Sequence, residues 1–502
     1  MCRVGDDGGV PAPLAAFLVL LTSAAVLVLE ILVSRLVAPY VGLTLETYTA
    51  AIGVALAAIA AGSALGGRLA DTADPRRWLG VATAVGGALV LAARPTVFAV
   101  GGGFRGLGPI GTVVLVGLAV APAALVLSLV PPGVVKLRLR TLAETGATVG
   151  RLSALGTLGA LAGTFLTGFV LLSALPTSQL LLLTGGVLVV SGVAVAVALP
   201  RLAVPVAPLA AVVALAGLTG TWLVTADGTC EYETRYYCAA IEDDADRDGG
   251  RTLVLDGLSH SYVDLDDPAH LEFRYTQRIG DVLAEQPAGA LDVLHLGLGG
   301  GSVPRHLAAT RPGSASTVLE VDPQIPEIGR ERLGLGEVPD LDVRVGDART
   351  AIAELPDAAY DVVVGDAFGS LAVPWHLTTA EMVAEVRRVL RPGGVYALNV
   401  IDFPPLSFVR AETATLLAAF DDVAVLATPA ALAGDDGGNL VLVASDAPLD
   451  LAALAERAAV RGEPGSVVGR EAAVAFAGQA RVLTDDDAPV DQLLTPYSPP
   501  RA

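Results

Sequence analysis

The stretch LHLGLGGGSVPRHL, Leu294 to Leu307, decides how the second half of the chain folds. An apolar run of strand length breaks at Gly297, Gly299, Gly300 and Gly301, and a helical pattern opens at Ser302. A glycine-rich turn between a buried strand and a helix lets a backbone approach a phosphate, a dinucleotide or a sulfonium nucleoside closely. This turn lacks the Lys-Ser/Thr ending of an ATP-type phosphate loop. Alone, it leaves dinucleotides and sulfonium nucleosides open.

Its neighbours narrow the choice. STVLEVD (Ser316 to Asp322), LDVRVGDAR (Leu341 to Arg349), YDVVVGDAF (Tyr360 to Phe368) and VYALNVI (Val395 to Ile401) read as further strands, with helical patterns between them. Such alternation predicts a doubly wound, mostly parallel sheet. The helix in TAEMVAEVRRVLRPGG is expected to stop at Pro392-Gly393-Gly394. Ligands in these sheets lie beyond the carboxyl ends of the strands, where the strand order reverses. Gly297, Glu320, Asp322, Asp347 and Asp366 all fall at such ends. A carboxylate about 20 residues past the turn suits ribose hydroxyls. One in VGDAR can accept from an adenine amino group, and one in VVGDAF stands beside the transferred group. That order of features points to an S-adenosyl-type nucleoside. Solvated strand ends without a ligand are the competing reading.

The first half is of another kind. Of 502 residues, 53% are apolar and 17% charged, with a mean hydropathy of +0.62. Residues 1–225 carry 12 Lys and Arg against 7 Asp and Glu, whereas residues 226–502 carry 20 against 45. An acidic soluble half argues against nucleic-acid partners, whose phosphates it would repel. Seven apolar segments of spanning length can be drawn, at about 12–33, 44–67, 78–100, 110–130, 152–175, 179–199 and 202–224. The first is not a cleavable signal, because it is long and further spans follow it. Gly62/Gly66 and Gly159/Gly163 have the spacing of close helix contacts. Glu30, inside an apolar segment, is a functional pointer by default.

Basic residues favour alternate connections. Arg68, Arg76, Arg77, Lys136, Arg138, Arg140, Arg151 and Arg201 lie on one side, and Arg35, Arg94 and Arg105 on the other. With seven crossings this bias puts the amino terminus in the cytoplasm and the acidic half outside. Cys230 and Cys238, in CEYETRYYC, either close a small disulfide in an oxidising compartment or are two separate thiols. An external domain conflicts with an S-adenosyl cosubstrate, which is made in the cytoplasm, so the side stays open.

From Glu231 to Phe403 the sequence resembles the spermidine synthase (polyamine aminopropyltransferase) family in its membrane-fused form. The stretch RTLVLDGLSHSYVDLDDPAHLEF, with Leu255-Asp256-Gly257, looks like that family's small amino-terminal β-domain, and VLTDDDAPVDQLL (Val482 to Leu494) like the ending of membrane-fused relatives. The resemblance implies a multi-pass membrane domain at 1–225 and a β-domain at 226–287. A Rossmann-like, class I methyltransferase-type α/β domain would follow at 288–445, and an extension at 446–502. It implies a membrane-bound transferase that moves an aminopropyl group from decarboxylated S-adenosylmethionine to an amine. Gly297, Gly299, Gly301, Glu320, Asp322, Asp347 and Ala348 would hold the nucleoside, with Glu320 on the ribose and Asp347 on the adenine. Asp366 would be the catalytic base.

Departures fall on the acceptor side. Gly300 stands where the family's glycine loop carries Asp, and Gly369 replaces the second carboxylate of its Asp-x-x-Asp. His270-Leu271-Glu272 stands for Tyr-His/Gln-Glu, and Tyr237 for a Gln. His270, Glu272 and Tyr237 are therefore the acceptor-site candidates. A doubly charged amine is costly to bury without counter-charges. That favours a bulkier or less charged acceptor, or methyl transfer from S-adenosylmethionine. A transporter or sensor with an inactive synthase-like domain is the reading from another class, and Glu30 motivates it. His295 is expected in the core. His270 and His376 lack partners at metal spacing, so no metal is expected. The bilayer and a small-molecule acceptor are the expected partners, and a homodimer is compatible.

Overall fold

The computed structural model describes residues 10–42, 44–139, 141, 144–198, 206–225, 230–367 and 373–495. The chain divides into two compact units, Met1–Gly228 and Thr229–Ala502.

The first unit is helical. Six helices are long and apolar enough to cross a bilayer: Ala12–Val41, Leu45–Thr72, Pro75–Phe104, Gly108–Arg138, Thr145–Leu171 and Thr177–Ala198. They are consistent with a multi-pass membrane region. The expected seventh segment forms the helix Val206–Thr225, 20 residues without a charge, which at 1.5 Å per residue spans about 30 Å, the thickness of a hydrocarbon core. The glycine pairs are contact points. A Cβ on Gly62 would lie 2.3 Å from the carbonyl oxygen of Leu125, and one on Gly159 2.4 Å from that of Leu20. Packing accounts for both pairs.

The second unit opens with a four-stranded antiparallel sheet in the order β1 (Tyr232–Glu233), β2 (Cys238–Asp243), β3 (Gly250–Leu255), β4 (Leu258–Asp264). Leu255-Asp256-Gly257 makes its last turn. Asp256 and Gly257 have φ of 53° and 77°, the pair of left-handed residues that a two-residue hairpin needs. Cys238 N donates to Asp256 Oδ1 at 2.9 Å. Cys230 and Cys238 are paired as a disulfide, with Cα atoms 5.0 Å apart. The expectation of a separate β-domain is corrected too. Ala239, Ile241, Leu253, Leu255 and Val263 share one apolar cluster with Leu298, Val318, Ile325 and Ile328 of the following fold. So small a sheet needs that borrowed surface to bury its apolar face.

An eight-stranded mixed sheet forms the centre, in the order β12-β10-β11-β9-β8-β5-β6-β7. Its strands are β5 (Asp292–Leu296), β6 (Ala315–Glu320), β7 (Leu341–Val345), β8 (Tyr360–Gly365), β9 (Leu390–Asp402), β10 (Asp422–Leu426), β11 (Gly438–Ser445) and β12 (Val467–Val468). β9, β8, β5, β6 and β7 run parallel, whereas β11, β10 and β12 are antiparallel additions. Apolar clusters cover both faces. Leu294, Val363, Tyr396 and Val400 lie in one, and Val293, Val362, Val395 and Ala397 in the other. One boundary differs from expectation. The helix Ala380–Val389 ends early, and Pro392-Gly393-Gly394 lies inside β9. Tyr360 pairs with Leu390 and Val362 with Val395, so the Pro-Gly-Gly run is absorbed as an irregularity in the ladder. His295 is buried beside Ser316, Nε2 to Oγ 3.2 Å, and desolvation lowers its pKa to about 3.

Residues past β11 join the same fold. β12 adds an edge strand, and Leu483 is fully buried in the main cluster.

Candidate active site

The strand order reverses beside β5. The chain passes from β5 to β6 and β7 on one side, and to β8 and β9 on the other. The crevice between the β5 and β8 loops is where such a sheet binds its ligand. Register brings the two loops level. Asp366 N donates to Leu296 O at 2.9 Å, and Gly297 N donates to Leu319 O at 2.9 Å.

Gly297 has φ of 95°, and a Cβ there would lie 2.3 Å from the Asp366 carbonyl oxygen. Only glycine fits between these loops. Gly299 and Gly301 are also left-handed, at 53° and 78°, and Gly301 caps the helix Ser302–Thr310. Ser261 of β4 backs the turn, with its Oγ 2.7 Å from Ser302 Oγ. A Cβ on Gly300 would lie 2.9 Å from Ser261 Oγ.

Glu320 is buried beneath this turn. Leu298 N donates to its Oε2 at 3.0 Å and Asp322 N to its Oε1 at 2.8 Å. Burial raises its pKa, against the pull of those backbone donors. With a further backbone donor at Val321, the carboxylate keeps acceptor capacity for one hydroxyl group. Asp322 is turned inward. It is fully buried, its Oδ1 accepts from Gln324 N at 3.0 Å, and its Oδ2 accepts from the Thr234 hydroxyl. That carboxylate ties the first sheet to the second. Tyr237 stands near both, its ring centroid 6.5 Å from that of His260. Burial, then Glu320, push its hydroxyl pKa up.

Asp347 caps the short helix Ala348–Ala351, accepting from Arg349 N at 2.8 Å. His376 Nε2 lies 3.1 Å from Asp347 Oδ2. Ala348 is buried in the main cluster. His270 and Glu272 meet each other, Nε2 to Oε2 2.9 Å, with the His270 ring edge-on to Tyr262. Gly369, on the stretch DAFG, lies outside the described residues.

Asp366 has the most constrained setting. Asn399 Nδ2 donates to its Oδ1 at 2.8 Å, and the Tyr275 hydroxyl donates to its Oδ2 at 3.1 Å. Burial raises the Asp366 pKa, while both donors pull it down. Tyr275 is pushed up by burial and by the Asp366 charge. His260, whose carbonyl lies 3.3 Å from the Tyr275 hydroxyl, is lowered to about 4 by desolvation. The result is a buried carboxyl of raised proton affinity, held by one amide donor and one phenol donor. Such a setting suits a carboxylate that takes a proton.

Tyr275, Asn399 and His260 were not among the sequence candidates. Asn399 had a signal, as the lone polar residue inside VYALNVI. Among the described residues, no group of three or more His, Cys, Asp or Glu is placed to hold a metal.

With this geometry in hand, the class is clear from comparison. A family model described as a methyltransferase domain matches residues 293–394. More particular likenesses follow. The polyamine aminopropyltransferase of Vibrio vulnificus is 32% identical over 153 residues, 30% of this chain and 49% of that protein. That of Mycobacterium tuberculosis is 30% identical over 317 residues, 58% of each. A crystal structure titled a "probable spermidine synthase" of Corynebacterium glutamicum has 30% identity and a TM-score of 0.48, covering 51% of this chain and 95% of that one. The match spans about half the length of the first of these curated relatives. The chain is homologous to polyamine aminopropyltransferases, which are transferases, and the resemblance to the spermidine synthase family stands.

Proposed function

We propose that this chain is a membrane-anchored aminopropyltransferase that takes decarboxylated S-adenosylmethionine as cosubstrate and an amine as acceptor. The observation that carries the reading is Asp366, fixed by Asn399 and Tyr275 one residue from the β8 end and level with the Gly297 turn. Glu320 receives the ribose hydroxyls and Asp347, steadied by His376, the adenine edge. The sulfonium carbon then lies toward Asp366. An amine nitrogen attacks that carbon, the C–N bond forms, and the C–S bond breaks with its electrons going to sulfur. Methylthioadenosine leaves. Asp366 accepts the proton that the new ammonium sheds. The leaving group is a neutral thioether, so no acid is required.

The match to a methyltransferase domain supports a second reading, methyl transfer from S-adenosylmethionine to an amine. The full chain in detergent, given each cosubstrate and a panel of amines, separates them. Methylthioadenosine release with the decarboxylated cosubstrate supports the first. S-adenosylhomocysteine release from S-adenosylmethionine supports the second. Asp366→Asn should lower turnover by about 10²–10⁴. Binding of neither nucleoside sinks both readings.

A further inference from the structure

Arg94 is a buried cation with no anion beside it among the described residues. It lies on the helix Pro75–Phe104 and is 8% exposed. Its guanidinium meets the Phe98 ring, with Cζ 4.9 Å from the centroid, and no carboxylate. Arg105, just past the same helix, is half-buried, and its Nε is enclosed without a hydrogen-bond partner. Its Nη2 stands 3.5 Å from the Pro39 carbonyl oxygen, and its Cζ 5.5 Å from the Tyr40 ring. Both guanidinium charges act on the Tyr40 hydroxyl. Among the described residues, neither Glu30 nor Glu46 pairs with either arginine. An uncompensated buried charge is costly, and inside a membrane bundle it marks a function by default.

Depth says which anion is within reach. The helix Pro75–Phe104 has 30 residues and rises about 45 Å, against about 30 Å of hydrocarbon, so its end reaches headgroup level. Arg94 extends toward that end, to Phe98 one turn on, and Phe98 meets Trp222 edge-on at 6.2 Å. Tyr40 is packed on Gly101, where a Cβ would lie 2.7 Å from its ring. Tyr and Trp gather at the boundary between hydrocarbon and headgroups. The two arginines also lie on the side that basic residues otherwise avoid, so orientation of the chain does not account for them. We propose that Arg94 and Arg105 together hold one phosphate group at this end of the helical bundle, with the Tyr40 hydroxyl as a further donor. The planar guanidinium fork matches phosphate oxygens and tolerates partial burial better than an ammonium. The group comes from a lipid headgroup or from free phosphate.

The test is thermal unfolding of the full chain, delipidated in a phosphate-free maltoside detergent and titrated with dioleoylphosphatidylglycerol, dioleoylglycerol or inorganic phosphate. A phosphate-bearing ligand should raise the melting temperature at concentrations at least about 10-fold below those of dioleoylglycerol, the scale of a hydrogen bond to a charged group. Arg94→Gln and Arg105→Gln should each raise its half-saturating concentration about 10-fold. Arg138→Gln, at the opposite end of the bundle, should leave it within about twofold and so excludes a general charge effect. Protection by the phospholipid alone assigns the site to a headgroup, and protection by inorganic phosphate assigns it to the free anion. Equal protection by the two lipids with none from inorganic phosphate overturns the proposal, as does wild-type affinity in both arginine variants. Where Arg94→Gln does not fold, Arg105→Gln, at the half-exposed position, decides.

Discussion

Asn399 Nδ2 sits 2.8 Å from Asp366 Oδ1, and Asn399 Oδ1 accepts from Asn439 Nδ2 at 3.1 Å. The amide is thereby held with its donor toward the acid and its acceptor toward β11. Orientation of Asp366 is set by the sheet rather than by a loop.

The first prediction concerns this pair and Tyr275. Both donors favour the ionised form of Asp366, and burial opposes it. Tyr275→Phe and Asn399→Leu remove that support, so the Asp366 pKa rises further. Activity needs the ionised base, hence the acid limb of a kcat/KM profile should move to higher pH in each variant. The profile is the measurement, and an unmoved limb contradicts the assignment of Asp366 as base.

Gly297→Ala meets both a left-handed backbone and the Asp366 carbonyl 2.3 Å away. A loss of about 2–4 kcal/mol is expected, read by thermal or denaturant unfolding. Methylthioadenosine binding should vanish even where the variant remains folded, because the two loops must part.

Glu412 makes stability depend on pH. An ordinary glutamate titrates near 4.5, and burial raises Glu412 well above that. Tyr396 beside it is pushed up in turn by burial and stays neutral. As pH rises past 4.5, the unfolded chain releases a proton that the fold retains. Stability then falls by up to about 1.4 kcal/mol per pH unit until the folded pKa is reached. Glu412→Gln should flatten that part of a melting-temperature profile. An identical slope in both proteins rules the effect out.

Topology is testable at Cys230. The Cys230–Cys238 disulfide must be opened before either thiol reacts, so in a Cys2→Ser background a membrane-impermeant maleimide is applied with a reductant. Labelling only after permeabilisation would place the unit in the cytoplasm. Labelling of intact cells only after a reductant would place the unit outside.

Much of this site was readable in the sequence because it follows from local pattern. A strand that ends in glycine, followed by strands ending in acids, puts Gly297, Glu320 and Asp366 at one edge of a parallel sheet through topology alone. Asp322 shows where such reasoning stops. It occupies a strand end like the others, yet its partner Thr234 is 88 residues away and turns it inward. Tyr275, 91 residues from Asp366, is likewise a product of long-range packing.

The closing segment has a bearing on how this enzyme unit can be moved between proteins. Leu483 is fully buried, Asp485 accepts from Thr379 Oγ1 at 2.7 Å and from Arg349 at 2.6 Å, and Thr495 N donates to Asp402 at 3.0 Å. Arg349 N donates to Asp347, and Thr379 caps the helix Ala380–Val389. The opening hairpin supplies Ser261 behind the glycines. A transplantable module must carry both ends, 230–495; excising the central sheet alone would transfer a scaffold with two walls missing.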